Sequence, residues 1–255
     1  MNRWTERTEL LLGEEKMRRL SGANVLVVGL GGVGAYAAEM VARAGVGRMT
    51  IIDADKVQLS NCNRQLVALR STVGLDKSAV LEMRLRDINP DIRLTVLSEY
   101  LEGERIAGLL ENGGFDYIVD AIDTLAPKIE LIKTALALGI PLVSSMGAGS
   151  KLDPTLVEVK DISKTHHCPL AHMLRKRLHK QGIRKGFKAV FSPEPPIEGS
   201  MILCEERNKK SNVGTISYMP AVFGCVCASV VIRGLIEPCS LSPENSETLS
   251  GGDTE

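Results

Sequence analysis

A glycine loop set between two apolar runs constrains this chain more than any other feature. Val25 to Val28 leads into Gly29-Leu30-Gly31-Gly32-Val33-Gly34, and a second run ends in Ile51-Ile52-Asp53-Ala54-Asp55. Glycines at this spacing let backbone N–H groups approach a phosphate at a helix N-terminus, where the helix dipole favours anions. Asp53, roughly twenty residues past the loop, stands where an acid accepts hydrogen bonds from ribose hydroxyls. Strand, loop, helix, strand and aspartate follow one another as a nucleotide-binding unit requires.

The alternation continues along the chain. Strands are expected at 24–28, 49–53, 93–97, 117–120 and 141–144, with helices at 33–44, 76–88, 103–111 and 126–138. This pattern predicts an α/β fold, a Rossmann-like, mostly parallel sheet with helices on both faces, plus a smaller C-terminal extension. In such sheets ligands bind at the carboxyl ends of the strands. Four parts are expected. Residues 1–22 form a helical arm with a Leu10-Leu11-Leu12 patch suited to a neighbour. Residues 23–150 form the nucleotide domain. Residues 151–237 form an extension with a basic helix near 169–180, a loop-rich stretch over 181–215 and a closing apolar helix. The Ser/Glu/Gly-rich tail, 238–255, is expected to be disordered.

The closing segment needs a decision. Gly214 to Ile232 holds no charged residue, and a membrane span needs ~20 apolar residues. Thr215, Ser217, Tyr218, Pro220 and Ser229 interrupt it. It reads as a short strand and then a buried core helix with Pro220 in its first turn. Membrane contact is the alternative.

The 31 basic and 31 acidic residues cancel, so a nucleic-acid site has to be a local patch. One exists: Arg175, Lys176, Arg177, Lys180, Arg184, Lys185 and Lys188 fall within one short stretch. Cations of this kind contact phosphates without reading sequence, although a merely solvated helix face has the same composition. Phe187 alone is too little aromatic surface to predict base stacking. The six cysteines, at 62, 168, 204, 225, 227 and 239, include no C-x-x-C pair, which argues against a zinc site built from paired cysteines. No signal peptide is visible, so reduced thiols in the cytoplasm are expected.

NAD and ATP sites differ in what must be neutralised. A site that cleaves ATP needs cations for the triphosphate and a carboxylate for magnesium. Asn61, Arg64 and Lys77 follow the glycine loop, and Asp120 and Asp123 end the Ile118-Val119-Asp120-Ala121-Ile122-Asp123 run. Each has a bland reading alone, as a surface charge or a helix cap. Together and in order they favour ATP.

With these motifs, residues 7–150 resemble the ubiquitin-activating-type adenylating enzymes, which include the activators of molybdopterin and thiamine sulfur carriers. The resemblance implies that Gly29, Gly31, Gly32 and Gly34 hold ATP and that Asp53, with Asp55 beside it, serves the ribose. It implies that Asn61, Arg64 and Lys77 hold phosphates and that Asp123 handles Mg2+. It also implies a homodimer in which Arg7, from the partner's N-terminal arm, completes the site; Arg3 is a weaker candidate. Arg7, Arg64, Lys77 and Asp123 are the expected catalytic set.

The rest of the chain narrows the resemblance. Ser145-Met146-Gly147-Ala148-Gly149-Ser150-Lys151-Leu152-Asp153-Pro154, Asp161-Ile162-Ser163-Lys164-Thr165, Cys168-Pro169-Leu170-Ala171 and Ala189-Val190-Phe191-Ser192 are similar to the tRNA threonylcarbamoyladenosine dehydratases. That family activates the carboxylate of a threonylcarbamoyl group on the adenosine beside the anticodon, and the activated group cyclises with loss of water. The implied partner is tRNA carrying that modification, docked on Arg175, Lys176, Arg177, Lys180, Arg184 and Lys185. A monovalent cation near Gly147–Lys151 is a further option that spacing alone does not support.

Three rivals stand beside this reading. One activates a ubiquitin-like sulfur carrier. Another is a non-catalytic adaptor for tRNA or for a cysteine-desulfurase and sulfur-acceptor system. The third is a dehydrogenase. A thioester route needs an accessible cysteine, and Cys168, beside His166 and His167, is the best placed. Cys225 and Cys227 read as core. The two histidines read as loop or tRNA contacts rather than acid–base catalysts.

Overall fold

The computed structural model describes residues 4–206 and 209–237. The expected tail, 238–255, and Arg3 lie outside the described residues. Two helices open the chain, α1 (Glu6–Leu12) and α2 (Glu14–Gly22). The alternating part follows: β1 (Asn24–Val28), α3 (Gly34–Arg43), β2 (Arg48–Ile52), α4 (Lys77–Ile88), β3 (Arg93–Leu97), α5 (Gly103–Gly113), β4 (Tyr117–Asp120), α6 (Leu125–Ala137) and β5 (Leu142–Ser145). Then come β6 (Glu158–Asp161), α7 (Pro169–His179), β7 (Lys188–Phe191), the hairpin β8 (Met201–Glu206) with β9 (Lys209–Val213), and α8 (Tyr218–Ile236).

The main sheet has the order β3-β2-β1-β4-β5-β7-β6, parallel except where β6 runs antiparallel to β7. β1 is central and buried at every position, which is why it reads as a continuous apolar run rather than an alternating one. Its residues divide by parity. Val25 and Val27 join one core with residues of α3, α4 and α8. Leu26 and Val28 join the other, with residues of α5, α6 and α7. Each such side chain, fully buried, stabilises the fold by roughly 1.5–3 kcal/mol. The chain reverses winding direction between β1 and β4, and the crevice at that switch is where such sheets bind ligands.

The expected strands and helices of the nucleotide half are present, most shifted by no more than a residue or two. The second half departs further from expectation. The stretch 181–215 has loops at 181–187 and 192–200 but also contains three strands that were not expected, and β7 extends the main sheet beside β5. No strand begins at Gly214: β9 has already ended at Val213, and Pro220 is the third residue of α8.

α8 is long and apolar enough to cross a membrane by length and composition, yet it packs on α2, α3, β4, β5 and β7. A Cβ on Gly224 would stand 2.5 Å from the Val33 carbonyl, and one on Gly234 would stand 2.7 Å from the Tyr117 ring. Gly224 thus lets α8 meet the start of α3 at near-backbone distance and Gly234 admits the Tyr117 ring of β4, so α8 is a core helix. Cys227 faces that core and Cys225 is exposed. The N-terminal arm breaks at Gly13, where φ is +80°, and leaves Leu10 and Leu11 each 82% exposed.

Candidate nucleotide site and its neighbours

The four loop glycines have different causes. Gly29 has φ +87°, and a Cβ there would stand 2.7 Å from the Ala121 carbonyl oxygen. A Cβ on Gly34 would stand 1.7 Å from the Gly29 carbonyl oxygen, and one on Gly32 would stand 2.8 Å from Pro220 Cβ, in the first turn of α8. The fold itself therefore requires three of them. Gly31 differs. A Cβ there meets only Gln65 Nε2, at 3.8 Å, so packing does not require glycine at this position and the backbone is open to approach. Gln65 borders this opening through Nε2, while its Oε1 is buried with no hydrogen-bond partner among the described residues.

Asp53 stands just past β2, and its carboxylate braces the loop. Leu30 N donates to Oδ2 at 2.6 Å and Asp55 N donates to Oδ1 at 2.7 Å. Burial pushes its carboxyl above the usual carboxylate range, opposed by the Lys77 charge and those two N–H groups. Each oxygen keeps a second lone pair for a ribose hydroxyl. Lys77, the first residue of α4, is buried, and its Nζ lies 2.7 Å from Asp55 Oδ2. Loop, Asp53, Asp55 and Lys77 thus form one cluster.

Asn61 and Arg64 come close through the turn after β2. Asn61 is buried and accepts from Gln58 N at 3.1 Å, which fixes the turn. Arg64 donates to the Ser60 carbonyl at 3.0 Å and to Asn63 Oδ1 at 2.8 Å. The Arg64 carbonyl oxygen would stand 3.5 Å from a Cβ on Gly32, so its backbone borders the loop.

Asp123 is exposed beyond the end of β4. Among the described residues no group of three or more His, Cys, Asp or Glu is arranged to hold a metal ion. A magnesium ion at Asp123 would therefore take its other ligands from phosphate oxygens and water. Arg7 is exposed on α1 and is not brought to the cluster within one chain. Its helix starts beside Thr5, whose Cγ2 would stand 3.6 Å from a Cβ on Gly45, just ahead of β2 at the amino edge of the sheet.

Sequence reasoning passed over Gln65 and Lys128. Lys128 Nζ lies 2.8 Å from Asp120 Oδ2, with both side chains fully buried. It also donates to the Ile122 carbonyl at 3.0 Å, while Ser144 Oγ donates to the same Asp120 oxygen at 2.6 Å. Ile122 N donates to Asp120 Oδ1 at 3.2 Å. This network clamps the peptide that carries Asp123 and that Gly29 packs against. A lone lysine in the apolar first turns of α6 was the available signal.

On the basic helix, Lys176, Arg177 and Lys180 are exposed, as are Arg184 and Lys185 beyond it. Arg175 is not part of that open face. It is half-buried, and its Nη1 donates to Thr165 Oγ1, because at its place on α7 it faces the turn before the helix. Cys168 is buried at the N-cap of α7 rather than lying in an open loop. In the Gly147–Lys151 region, Lys151 is buried and donates to the Glu194 carbonyl, and burial holds its ammonium below the usual lysine range.

One cavity, about 600 Å³, lies at the amino edge, lined by Asn24, Arg48, Arg93 and Phe115 among others. It is remote from this chemistry. A second cavity, about 390 Å³, is lined by His166, His167, Cys168, His172, Arg175 and Pro196, among others.

The model of the ThiF family matches residues 5–250. The tRNA threonylcarbamoyladenosine dehydratase of Bacillus subtilis is 40% identical over 239 residues, covering 91% of this chain and 94% of that protein. The crystal structure of E. coli tRNA N6-threonylcarbamoyladenosine dehydratase in complex with ATP superposes with a TM-score of 0.84 at 37% identity, covering 92% of this chain and 96% of that one. A sulfur carrier protein adenylyltransferase of Thermus thermophilus is 30% identical over 225 residues, 88% of this chain and 73% of that protein. The chain belongs to the ThiF family and, within it, to the tRNA threonylcarbamoyladenosine dehydratases.

Proposed function

We propose that the protein dehydrates threonylcarbamoyladenosine beside the anticodon of tRNA, using ATP to activate the threonyl carboxylate. The observation that carries this reading is the mutual coverage at 40% identity with a dehydratase, against 30% with a sulfur-carrier activator that this chain spans less fully. The open approach at Gly31, with Gln65, Asp53 and Lys77 around it, fits a nucleotide.

ATP lies along the carboxyl edge, its phosphates over the glycine loop and its ribose at Asp53. Lys77 exchanges Asp55 for phosphate oxygens, and Arg64 adds a second cation. Charge that develops in nucleotidyl transfer is stabilised by such fixed cations. Asp123 is the protein's ligand for magnesium, which offsets phosphate charge when bound. Arg7 of a partner copy supplies the cation that one chain does not bring to its own site, so the working unit is a homodimer. A carboxylate oxygen attacks the α-phosphorus and pyrophosphate leaves. An oxygen or nitrogen of the same substrate then attacks the acyl carbon and AMP leaves, so the ring closes with net loss of one water. Both reacting groups belong to one nucleotide, which supplies the proximity advantage.

Residues 23–150 carry the nucleotide chemistry and 151–237 the tRNA side. The tRNA backbone docks on Lys176, Arg177, Lys180, Arg184 and Lys185, with the enzyme in the cytoplasm. A monovalent cation at Gly147–Lys151 would share that loop with the buried ammonium of Lys151. No observation favours a sulfur-transfer partner.

The test is mass analysis of nucleosides from tRNA carrying the modification, incubated with the protein with and without ATP. Loss of one water only with ATP is expected; no loss, with an active control enzyme, overturns the reading. Asp123→Asn is expected to bind ATP and turn over poorly, and full activity in that variant removes the magnesium role.

A further inference from the structure

The smaller cavity is used by none of the nucleotide residues, and its place in the sheet gives it meaning. His166 packs against Phe191 at the end of β7, and Cys168 Sγ would stand 3.8 Å from a Cβ on Gly147, just after β5. The cavity therefore opens on the carboxyl edge. β5 pairs with β4, whose end leads to Asp123. One to two strand spacings, roughly 5–10 Å, separate the two places, about the reach of a side-chain-sized substituent on a base.

Two stacked histidine rings line it, with a phenylalanine tilted behind them. Phe191 is fully buried. The His166 ring lies 5.5 Å from it at 58°, and His167 stacks on His166 at 5.1 Å and 19°. The column runs outward from the core, and both histidines are exposed. His167 has φ +53°, a left-handed conformation that costs energy in a residue with a Cβ and that clusters at functional sites. Its Nδ1 lies 2.8 Å from the Pro193 carbonyl oxygen. A carbonyl only accepts, so Nδ1 carries the proton and Nε2 of the neutral ring is an acceptor. Arg175 lines the same cavity and joins it to the exposed cations of α7.

We propose that this cavity receives the splayed-out purine nucleotide of the tRNA, its base stacking on the His166–His167 pair and Nε2 of His167, whose lone pair lies in the ring plane, accepting a hydrogen bond from the ribose. The proposal rests on the tRNA reading above. Sequence-tolerant capture of unstacked bases on histidine, aromatic and arginine surfaces is how RNA loops are held, and the volume suits a small ligand group.

The test compares His167→Asn, His166→Ala and His166→Phe in tRNA dehydration and in ATP binding. Asparagine tolerates the left-handed backbone but removes the ring. For His167→Asn and His166→Ala the KM for tRNA is expected to rise about 5- to 150-fold with ATP affinity unchanged. His166→Phe keeps a ring and is expected to stay within about twofold. An anticodon stem–loop carrying 2-aminopurine at the target position, quenched by the wild type and not by His167→Asn, reports stacking without turnover. Unchanged KM and quenching in both ring-removing variants, with an active wild type, overturn the cavity and leave the tRNA reading standing. A phenylalanine at 166 as harmful as alanine overturns the stack. A wild type that dehydrates no tRNA removes the reading beneath the proposal.

Discussion

Two lysine–aspartate pairs flank the glycine loop at nearly equal distance and behave as opposites. Lys77 and Asp55 are 2.7 Å apart, with side chains 5% and 71% exposed; Lys128 and Asp120 are 2.8 Å apart, with both at 0%. Asp55 can leave its lysine for water at little cost, so Lys77 is available to a phosphate. Asp120 has no such exit. A buried pair gains little over an apolar pair of the same volume, because desolvation offsets the attraction. What Lys128 does beyond attraction is hold the Ile122 carbonyl, and with it the loop that ends in Asp123. On the function proposed above, one lysine is a reagent and the other a clamp, and burial of the partner tells them apart.

The contrast can be broken most directly at the clamp. Lys128→Met strands the Asp120 carboxylate and is expected to destabilise the fold by about 3–5 kcal/mol, measured by urea unfolding. Adding Asp120→Asn to it should return most of that loss; if it does not, the lysine is needed for packing rather than charge. Lys77→Met tests the other pair. Asp55 is open to water, so stability should change by less than about 1 kcal/mol. Turnover should fall about 10²- to 10³-fold, and a variant that unfolds instead would make the two pairs alike.

Smaller effects sharpen the same distinction. Lys176→Glu, Arg177→Glu and Lys180→Glu together should weaken tRNA binding and lower its salt slope by about 1 for each phosphate that a cation no longer neutralises, with ATP binding intact. An unchanged slope would place the tRNA elsewhere. Near the clamp, burial pushes the Cys227 thiol up to about 12, and it pushes the Tyr117 phenol to about 12 as well, from ordinary values of 9.0 and 10.0. Above pH 9 the unfolded chain gives up protons that the folded chain keeps, so stability is full below that pH and declines toward 12. Cys227→Val should flatten the early part of the decline in urea midpoints.

The same asymmetry governs what can be read without coordinates. β1, β2 and β4 are buried along nearly their whole length, and that burial writes itself as mostly apolar runs. Gly29, Asp53, Lys77 and Asp123 follow at fixed offsets from those runs, so most of the nucleotide cluster is legible. β6, at the sheet edge, reads Glu-Val-Lys-Asp and β9, in the hairpin, reads Lys-Lys-Ser-Asn-Val, so neither carries such a mark. Lys128 was illegible because its partner, eight positions earlier, meets it only after β4 and α6 pack. Gln65 directly follows Arg64 in the sequence, but its unpartnered oxygen exists only in the folded chain. Arg175 looked like one of seven equivalent cations until Thr165 took its guanidinium.

Gly31 has a consequence for reading other chains. Its three companions answer to the architecture, so any descendant that keeps the fold has to keep them. On the proposed function, position 31 answers to a visitor. A copy that stopped using nucleotide would be free to drift there first, with sheet and helices undisturbed. Alanine at that one place, in an otherwise intact loop, would mark a scaffold that has outlived its chemistry.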